Sequence, residues 1–385
     1  MTPKKIMVIA GEASGDILAA ELVRALQSEF AHTGTHVDFF GAGGPRMAAV
    51  GVDLALDMTV HSVIGLVEVL RSYGKFKRIF QQLLELATAQ KPDLLICVDF
   101  SGFNRRFARA VRGVASDGWK PKIVQFVSPQ VWASRPGRAA KLARDIDLLL
   151  AIFPFEKEWY AQRVPDLRVE FVGHPIIDRY ASAPPAALAR PLDEGPPNIL
   201  LLPGSRVGEL KRHLLVMISA AQKIYAHNPK ARFTTVLPTE ELCAMTRSML
   251  GSLRVDARTG GLAQALSEAT LAIASTGTVT LECAYFGVPT IALYKTSWST
   301  YQIGKRIVQV KFLAMPNLLA GEQIIPEFIQ NEATTDAIAA EANRLLDNPK
   351  ARLEMKGRLR RVIDSLGAPG APHRAAQSVI SLLEN

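Results

Sequence analysis

Short hydrophobic runs recur along the chain, and each is followed by a turn of small or polar residues and then by an amphipathic segment. Such runs are typical of strands buried on both faces, and the segments between them indicate helices that cover a parallel sheet. In the first half the pattern predicts strands at residues 6–10, 36–41, 93–98, 122–127, 148–152 and 168–172. In the second half it predicts strands at 198–202, 232–237, 253–256, 271–274 and 290–293. The chain is therefore predicted to be an α/β protein.

Four connecting segments carry their own structural expectations. Residues 17–30 are predicted to form a helix that Ser14 or Asp16 caps. Residues 136–144 are predicted to form a basic helix. Residues 314–319 have few charges and are predicted to form a loop, and residues 326–330 are predicted to begin the last set of helices.

A proline-rich stretch divides the chain. Residues 181–197 contain five prolines, a composition typical of an interdomain linker, and 385 residues suit two domains. We therefore predict an N-terminal domain at 1–180, a linker at 181–197, a C-terminal domain at 198–367 and a last helix at 368–385. That helix would pack on the N-terminal domain or on a second subunit, which would make a homodimer.

Composition narrows the choice of partners. The chain has 45 Lys and Arg against 36 Asp and Glu, a net charge of +9, which favours an anionic partner: a nucleotide, a nucleic acid or an acidic membrane surface. Cys97, Cys243 and Cys283 lie in apolar segments without metal-ligand spacing and are predicted to be buried thiols in a reducing compartment. Because neither a signal peptide nor an apolar run of membrane-spanning length is visible, a cytoplasmic location is expected.

Two strand–turn–helix units in the second half indicate a phosphate site. The first has a turn of four small residues: Ser275, Thr276, Gly277 and Thr278. Backbone N–H groups at a helix N-terminus bind anions, and Glu282, one turn into the predicted helix, would accept two sugar hydroxyls. The second turn consists of Gly204, Ser205 and Arg206, and its arginine would neutralise a diphosphate. One such turn alone would equally suit an ordinary capped helix, whereas the two together favour a bound diphosphate.

Candidate residues of the first half lie at the ends of predicted strands. Residues 11–16 (Gly-Glu-Ala-Ser-Gly-Asp) lack dinucleotide-loop spacing, so they form either a capped turn or a backbone pocket at the carboxyl edge of the sheet. Asp99 follows the 93–98 strand and is either a helix cap or a general base. His174 beside a proline is more often structural than a ligand. Asp145 and Asp147 form the D-x-D pair of metal-dependent sugar transferases, but they precede a strand and so lie at the wrong edge.

Residues 60–80 combine an apolar half with a basic half. The apolar half contains Val63, Ile64, Leu66, Val67 and Leu70. The basic half interleaves aromatic residues with Lys75, Lys77 and Arg78. Two interpretations remain open: core helices with a solvated basic edge, or a surface element that inserts into a bilayer interface.

Seven motifs, in this order, resemble one protein family. They occupy residues 11–16, 128–133 (SPQVWA), 172–175 (VGHP), 201–206 (LLPGSR), 275–282 (STGTVTLE), 315–317 (MPN) and 326–330 (PEFIQ). Over nearly its whole length the chain resembles the bacterial lipid-A-disaccharide synthases. The resemblance implies an α/β fold of two Rossmann-like parallel-sheet domains facing a cleft, the glycosyltransferase B type.

The resemblance also implies a reaction. A 2,3-diacylglucosamine passes from UDP to the 6-hydroxyl of 2,3-diacylglucosamine 1-phosphate with inversion, which gives a β-1,6-linked disaccharide 1-phosphate and UDP. No metal, no other cofactor and no nucleic acid is implied. Because both substrates carry acyl chains, the resemblance favours peripheral association with the anionic inner membrane, with residues 63–70 as the membrane-facing element.

Residue roles follow from the positions of the motifs. Asp99 matches the family's essential aspartate and is the candidate general base, and Glu12 matches the acid of the first motif and would assist or orient the acceptor. Arg206 would bind diphosphate, residues 275–278 would form the phosphate turn, and Glu282 would bind ribose. The other candidate ligand contacts are Ser14, Gly15, Asn104, Gly204, Ser205, Asn317 and Gln323.

One motif departs from the family pattern. Family members often read Asp-x-Pro-Asp-Phe-Asn, whereas residues 99–104 read Asp-Phe-Ser-Gly-Phe-Asn, so Gly102 replaces the second acid. That weakens a mechanism with two acids and leaves Asp99 as the candidate. Two rival functions also fit: a UDP-N-acetylglucosamine 2-epimerase, which acts on soluble UDP-sugar alone, and a non-catalytic nucleotide- or lipid-binding module. The second rival gives Asp99 and Arg206 no function.

Overall fold

The computed structural model describes residues 3–59, 73–116, 118–181 and 195–384. The chain divides into two compact units. The first unit consists of Met1–Asp178 and Leu366–Asn385, and the second consists of Arg179–Ser365. Each unit is built around a parallel sheet with helices between successive strands, so the predicted α/β class is confirmed.

The described part of the first unit contains a seven-stranded parallel sheet. Its strands are β1 (Lys4–Ala10), β2 (Val37–Gly43), β3 (Asp53–Asp57), β4 (Leu94–Val98), β5 (Lys122–Phe126), β6 (Leu148–Ala151) and β7 (Arg168–Phe171). Their order across the sheet is β3-β2-β1-β4-β5-β6-β7. The central strands are largely apolar because helices cover both faces, and β4 is buried at every position. The edge strand β3 alternates between exposed and half-buried residues, and its half-buried residues are both leucines. It contains no continuous apolar run, so the sequence pattern did not predict it.

The helices of the first unit connect these strands. They are α1 (Ala13–His32), α2 (Pro45–Ala48), α3 (Tyr73–Gln90), α4 (Ser101–Val114), α5 (Val131–Ser134), α6 (Ala139–Asp145), α7 (Pro154–Ala161) and α8 (Pro175–Arg179). A 3₁₀ turn at Pro136–Arg138 precedes α6, so the predicted helix at 136–144 is broken in two. The core beneath α3 and α4 includes stacked and edge-on rings of Phe80, Phe103 and Phe107.

The first helix begins four residues earlier than predicted, at Ala13, and its predicted cap is wrong. Glu12 occupies the cap position in extended conformation, and no side chain caps the helix. Asp16 is buried and instead caps α2, because its carboxylate accepts hydrogen bonds of 2.9, 2.9 and 3.0 Å from three backbone N–H groups. Those groups belong to Gly44, Arg46 and Met47.

The described part of the second unit contains a six-stranded parallel sheet. Its strands are β8 (Asn198–Leu202), β9 (Arg232–Leu237), β10 (Val255–Thr259), β11 (Leu271–Ser275), β12 (Thr290–Tyr294) and β13 (Glu327–Ile329), in the order β10-β9-β8-β11-β12-β13. Its helices are α9 (Val207–His227), α10 (Glu240–Met249), α11 (Leu262–Glu268), α12 (Thr278–Tyr285), α13 (Trp298–Ile307), α14 (Met315–Ala320), α15 (Thr335–Leu346) and α16 (Pro349–Ser365).

Two predictions for the second unit are wrong. Residues 314–319 form a helix, α14, rather than a loop, because Pro316 suits the first turn of a helix. Residues 326–330 supply the edge strand β13 rather than the start of a helix. A three-residue strand is too short to show an alternating pattern, which explains why the sequence does not reveal it.

The chain ends in helix α17 (Ala371–Glu384), which packs on α1 within the first unit. Its buried face is formed by small and aliphatic residues. The Asp178 carboxylate accepts hydrogen bonds of 2.5 and 3.1 Å from the backbone N–H groups of Gly370 and Ala371 at its start. Arg374 donates from Nε to the carbonyl of Val172 at 2.8 Å. Among the helices that the structure describes, none is both long and apolar enough to cross a bilayer.

Candidate functional site

Both sheets have a point at which the chain order reverses, and the candidate residues lie there. In the first unit the reversal falls between β1 and β4, and Ala10 pairs with Val98 in register. Glu12 and Asp99 therefore follow neighbouring strands at the carboxyl edge of the sheet. In open α/β sheets ligands bind at this edge and at this reversal. The fold thus favours Asp99 and Glu12 as site residues independently of any motif.

The turn that carries Asp99 has an uncommon backbone. Asp99 and Phe100 adopt φ values of 47° and 41°, and Val127 at the end of the neighbouring strand adopts 67°. The left-handed region costs a non-glycine residue about 1–2 kcal/mol, and a β-branched valine is a rare occupant. Three such residues at one sheet edge indicate backbone strain held in place by the surrounding structure, as occurs at functional sites.

Two buried amides hold this turn. Asn104 donates from Nδ2 to the carbonyls of Val98 and Asp99, at 3.1 and 2.9 Å. Gln125 donates from Nε2 to the carbonyls of Asp99, Phe126 and Val127, at 3.3, 3.2 and 3.1 Å. Both side chains are buried, and loss of Gln125 would leave the Val127 carbonyl without this hydrogen bond, at a cost of about 1–3 kcal/mol. Asn104 therefore supports the Asp99 turn through its amide.

The glycines of the first motif allow this turn to approach β1. A Cβ on Gly11 would lie 2.2 Å from the Phe100 ring, and a Cβ on Gly15 would lie 3.9 Å from the Cβ of Asp99. A side chain at position 11 would therefore clash with the Phe100 ring, whereas one at position 15 would make only ordinary van der Waals contacts. Ser14 is exposed on the first turn of α1, so its hydroxyl is accessible. The first motif is thus explained by close packing beside Asp99.

The Asp99 carboxyl is suited to accept a proton. Burial raises its pKa, and a backbone hydrogen bond from Phe100 opposes that shift. A raised pKa makes a carboxylate a stronger base, since desolvation disfavours the charged form. Perturbed carboxyl groups at a sheet edge are candidates for acid–base chemistry.

The second unit has its chain-order reversal between β8 and β11, where Leu202 pairs with Ala274. The turn at 203–206 follows β8 and the turn at 276–277 follows β11, so the two predicted phosphate turns emerge side by side from neighbouring strands. Each leads directly into a helix, α9 and α12. This arrangement presents two helix N-termini at one edge of the sheet.

The β11 turn is shaped for an anion. Gly277 has φ 130°, which only glycine adopts readily, and a Cβ there would meet nothing within 4 Å. Thr280 folds back to Gly277, with its Oγ1 donating to that carbonyl at 2.7 Å. Ser275 is buried at the strand end, whereas Thr278 is exposed at the helix start.

A carboxylate from the following helix contacts the β8 turn. Gly204 has φ 116°, and Glu209 in the first turn of α9 packs against it. The Glu209 Oε2 accepts the backbone N–H of Ser205 at 3.3 Å, and its Oε1 lies 3.9 Å from Nη1 of Arg206. Arg206 is 67% exposed. The carboxylate of Glu209 therefore contacts the same backbone and guanidinium groups that a phosphate would use.

A buried histidine joins the β8 turn to the end of β12. His213 on α9 lies 2.7 Å from the carbonyl of Pro203 through Nδ1, and its Nε2 accepts the backbone N–H of Lys295 at 3.0 Å. Nε2 also lies 3.2 Å from the carbonyl of Lys295. Acceptance of the Lys295 N–H by Nε2 leaves the proton on Nδ1, in the neutral tautomer. Burial lowers the His213 pKa, which favours that neutral form.

Glu282 lies on α12 and is engaged by residues at the start of the second unit. The Tyr180 hydroxyl donates to its Oε1 at 2.9 Å, and Nη1 of Arg179 lies 3.7 Å from the same oxygen. Burial raises the pKa of Glu282, while Tyr180 and Arg179 oppose that shift. A ribose hydroxyl would share or replace the Tyr180 contact.

Two predicted ligand contacts have other surroundings. All four hydrogen-bonding positions of the buried Asn317 amide are used within the unit: Oδ1 accepts from Ile324 and Ile325, and Nδ2 donates to Ile325 and Glu327. Asn317 therefore joins α14 to β13 and has no donor left for a nucleotide. Gln323 is exposed beside this network.

Among the remaining candidates of the first unit, His174 and Asp147 make structural hydrogen bonds. Nδ1 of His174 accepts the backbone N–H of Ile176 at 3.1 Å, as the structural interpretation predicts. Asp147 accepts the backbone N–H of Ile123 at 2.6 Å and pairs with Arg112. The D-x-D residues lie at the amino end of β6, away from the carboxyl edge. Val63, Ile64, Leu66, Val67 and Leu70 lie outside the described residues; Lys75 is on α3, and Lys77 and Arg78 are exposed there.

Sequence reasoning missed three residues that shape the two sites: Gln125, Glu209 and His213. Gln125 is a lone polar residue within an apolar strand, which is a detectable signal. Glu209 follows the Gly-Ser-Arg turn by three residues, as expected of an acid in the first turn of a helix. His213 lies on an amphipathic helix and carries no distinguishing sequence signal.

Known proteins share both the sequence and the fold. A family model described as lipid-A-disaccharide synthetase matches residues 6–377. A lipid-A-disaccharide synthase of Geobacter sulfurreducens is 37% identical over 390 residues, which cover 99% of this chain and 98% of that protein. The chain belongs to the lipid-A-disaccharide synthase family.

Members of this family are glycosyltransferases, and solved structures agree on the fold. MurG of Acinetobacter baumannii superposes with a TM-score of 0.57 at 16% identity and covers 99% of both chains. A UDP-GlcNAc 2-epimerase of Neisseria meningitidis, solved with UDP-GlcNAc, has a TM-score of 0.64 at 13% identity and covers 99% of this chain and all of that one. At these identities the likeness establishes the fold alone, so the rival epimerase function has no support beyond architecture.

Proposed function

We propose that this enzyme transfers 2,3-diacylglucosamine from UDP to the 6-hydroxyl of 2,3-diacylglucosamine 1-phosphate, with inversion. The observation that carries the proposal is the desolvated Asp99 carboxyl, held on a strained turn at the sheet reversal of the first unit. A nucleotide-binding module alone would have no use for such a group.

Asp99 acts as the general base. The acceptor hydroxyl attacks the anomeric carbon from the face opposite UDP, and Asp99 takes its proton while the new C–O bond forms. A carboxylate with a raised pKa is better matched to this task than an exposed one. Glu12, two residues beyond β1, orients the acceptor.

The second unit stabilises the leaving group. Negative charge develops on the UDP diphosphate as the glycosidic bond breaks. The N-terminus of α12 and the Arg206 guanidinium offer partial and full positive charge to it. Ser275 to Thr278 and the 204–206 turn supply hydroxyl and backbone donors, and Glu282 accepts the ribose hydroxyls.

The base assignment is tested by UDP release in detergent micelles with both substrates present. Asp99→Asn keeps the side-chain shape and tolerates a left-handed backbone, and it should lower kcat by about 10²–10⁴-fold. The matched control is Asp93→Asn, at the opposite end of the same strand, where the carboxylate accepts the backbone N–H of Lys5 at 2.8 Å. Retained kcat in Asp99→Asn together with lost kcat in Glu12→Gln would move the base to Glu12.

We also propose peripheral association with an anionic membrane through residues 63–70, supported by the exposed Lys77 and Arg78 on the adjoining helix. Leu66→Ser with Leu70→Ser should weaken binding to anionic vesicles and leave the fold intact. Leu353→Ser is the control, since Leu353 is a 62% exposed leucine in the second unit. Equal vesicle binding by both variants would refute the membrane role.

A further inference from the structure

A group of arginines without partners lies beside the Asp99 turn in the first unit. Arg105 and Arg106 lie on α4, which begins two residues after Asp99. Arg135 and Arg138 lie on the segment that follows β5, the strand next to β4. Both segments leave the carboxyl edge of the sheet. We call these four residues the arginine cluster.

Arg138 lies close enough to the other three guanidinium groups to be affected by their positive charge. The pKa of Arg138 is lowered, first by burial and then by the positive charges of Arg135, Arg105 and Arg106. Like charges that face one another disfavour the folded state unless an anion balances them.

The protein itself does not supply that balance. Among the residues that the structure describes, no member of the cluster has a hydrogen-bonded or ion-paired side-chain partner. One carboxyl, that of Asp145, interacts electrostatically with Arg105 of the cluster and with Arg109, Arg144 and Arg112. Burial raises the Asp145 pKa more than these arginines lower it, so one carboxyl faces a large excess of positive charge.

Several other described arginines have carboxylate partners, whereas the four members of the cluster have none in the described part of the chain. Arg112 pairs with Asp147, Arg344 with Glu341, and Arg360 with Asp364. A planar guanidinium group can donate two parallel hydrogen bonds to phosphate oxygens, and several arginines close together are typical of a phosphate site.

The position of the cluster beside Asp99 favours the phosphate of the acceptor. Arg105 lies four residues into α4 from Ser101, about 6 Å along the helix axis. An acceptor whose 6-hydroxyl lies at Asp99 carries its 1-phosphate at the other end of one sugar ring. A phosphate monoester holds about 1.5–2 negative charges at neutral pH, which the cluster would neutralise.

We propose that Arg105, Arg106, Arg135 and Arg138 bind the phosphate monoester of the acceptor and so orient its 6-hydroxyl toward Asp99. This assignment rests on the proposed transfer reaction. It makes the cluster a specificity determinant, because an acceptor without the phosphate would lose these contacts.

The test compares two acceptors: 2,3-diacylglucosamine 1-phosphate and the same sugar without phosphate. Arg106→Gln and Arg138→Gln should each raise the KM for the phosphorylated acceptor by about 10-fold to 100-fold, the effect of one charge-assisted hydrogen bond, and leave the KM for the UDP-sugar unchanged. With the unphosphorylated acceptor, wild type and variants should show equally weak kcat/KM. Arg24→Gln, an exposed arginine on α1, is the matched control.

Three results would overturn the assignment. Equal losses with both acceptors would show that the arginines do not contact the phosphate, and an unchanged KM would show that they are dispensable. An unchanged KM in micelles with weaker binding to anionic vesicles would assign the cluster to lipid headgroups instead. Failure of the proposed function is distinguishable, because wild type itself would then release no UDP with either acceptor.

Discussion

Replacing Asp99 by glycine should stabilise the first unit while it removes the proposed base. Asp99 has φ 47°, a conformation that costs a non-glycine residue about 1–2 kcal/mol and glycine almost nothing. Glycine also gains freedom in the unfolded chain, which offsets about 0.4–1 kcal/mol of that gain. The net backbone effect is therefore about 0.5–1 kcal/mol in favour of the variant.

The Asp99 carboxyl also makes a pH-dependent contribution to the free energy of unfolding. Because burial raises its folded-state pKa above 3.8, the folded protein holds the proton more tightly than the unfolded chain. The carboxyl therefore destabilises the folded state increasingly as the pH rises from its unfolded pKa through the raised folded value. Removal of the carboxyl should stabilise at neutral pH, and this gain should shrink as the pH falls toward 4.

Thermal unfolding of wild type, Asp99→Ala and Asp99→Gly separates the two parts. Alanine removes the carboxyl and keeps the backbone cost, so glycine should unfold at a Tm about 1–4 °C above alanine, given a unit of roughly 200 residues. Both variants should lose UDP release. Equal Tm values for alanine and glycine would refute the strain argument, and a Tm below wild type for both at neutral pH would refute the desolvation argument.

Three further predictions concern other residues of the two units. Gly11→Ala should destabilise the folded protein by about 1–3 kcal/mol in chemical denaturation, because its Cβ would meet the Phe100 ring at 2.2 Å. Gly102→Ala, with open space around its Cβ, should not destabilise it, and equal stability of the two variants would contradict the packing. Glu209→Gln should tighten UDP binding about 1.4-fold to 5-fold by calorimetry, since the carboxylate competes for the Ser205 N–H and Arg206, and weaker binding would show that Glu209 instead supports the turn. His213 has a lowered pKa and is needed neutral, so its stabilisation should be present above pH about 6.5 and decline below it. The difference in unfolding free energy between wild type and His213→Gln should therefore shrink from pH 7.5 to 5, and a constant difference would refute this role.

Most strands of both sheets could be predicted from the sequence, because buried parallel strands are largely apolar. β4 shows this pattern without interruption and β11 shows it as far as Ser275, and their ends were located to within one residue. Two of the four edge strands, β3 and β13, were missed because their signal is weak: β3 alternates in exposure along five residues, and β13 has only three. The Pro-rich composition indicated a linker, but composition does not identify the surface on which α17 packs.

Some residues of the candidate site could also be predicted from local sequence, and others could not. Asp99 and the small-residue turns were predicted because they follow strands directly. The hydrogen bonds of Gln125 to three carbonyls depend on how β4 and β5 pair, so no local pattern contains them. Asn317 was assigned to a ligand from its place in a family motif, yet the Glu327 carboxylate and the backbone of Ile324 and Ile325 account for its hydrogen bonds.

The central claim is that this chain moves a sugar from UDP to an acylated acceptor, and one measurement tests it most directly. UDP release from UDP-2,3-diacylglucosamine should be measured for wild type in detergent micelles, with and without 2,3-diacylglucosamine 1-phosphate. The account predicts that release requires the acceptor and equals the amount of β-1,6 disaccharide 1-phosphate formed. Release that is unaffected by the acceptor, or epimerisation of a soluble UDP-sugar without any transfer, would contradict it.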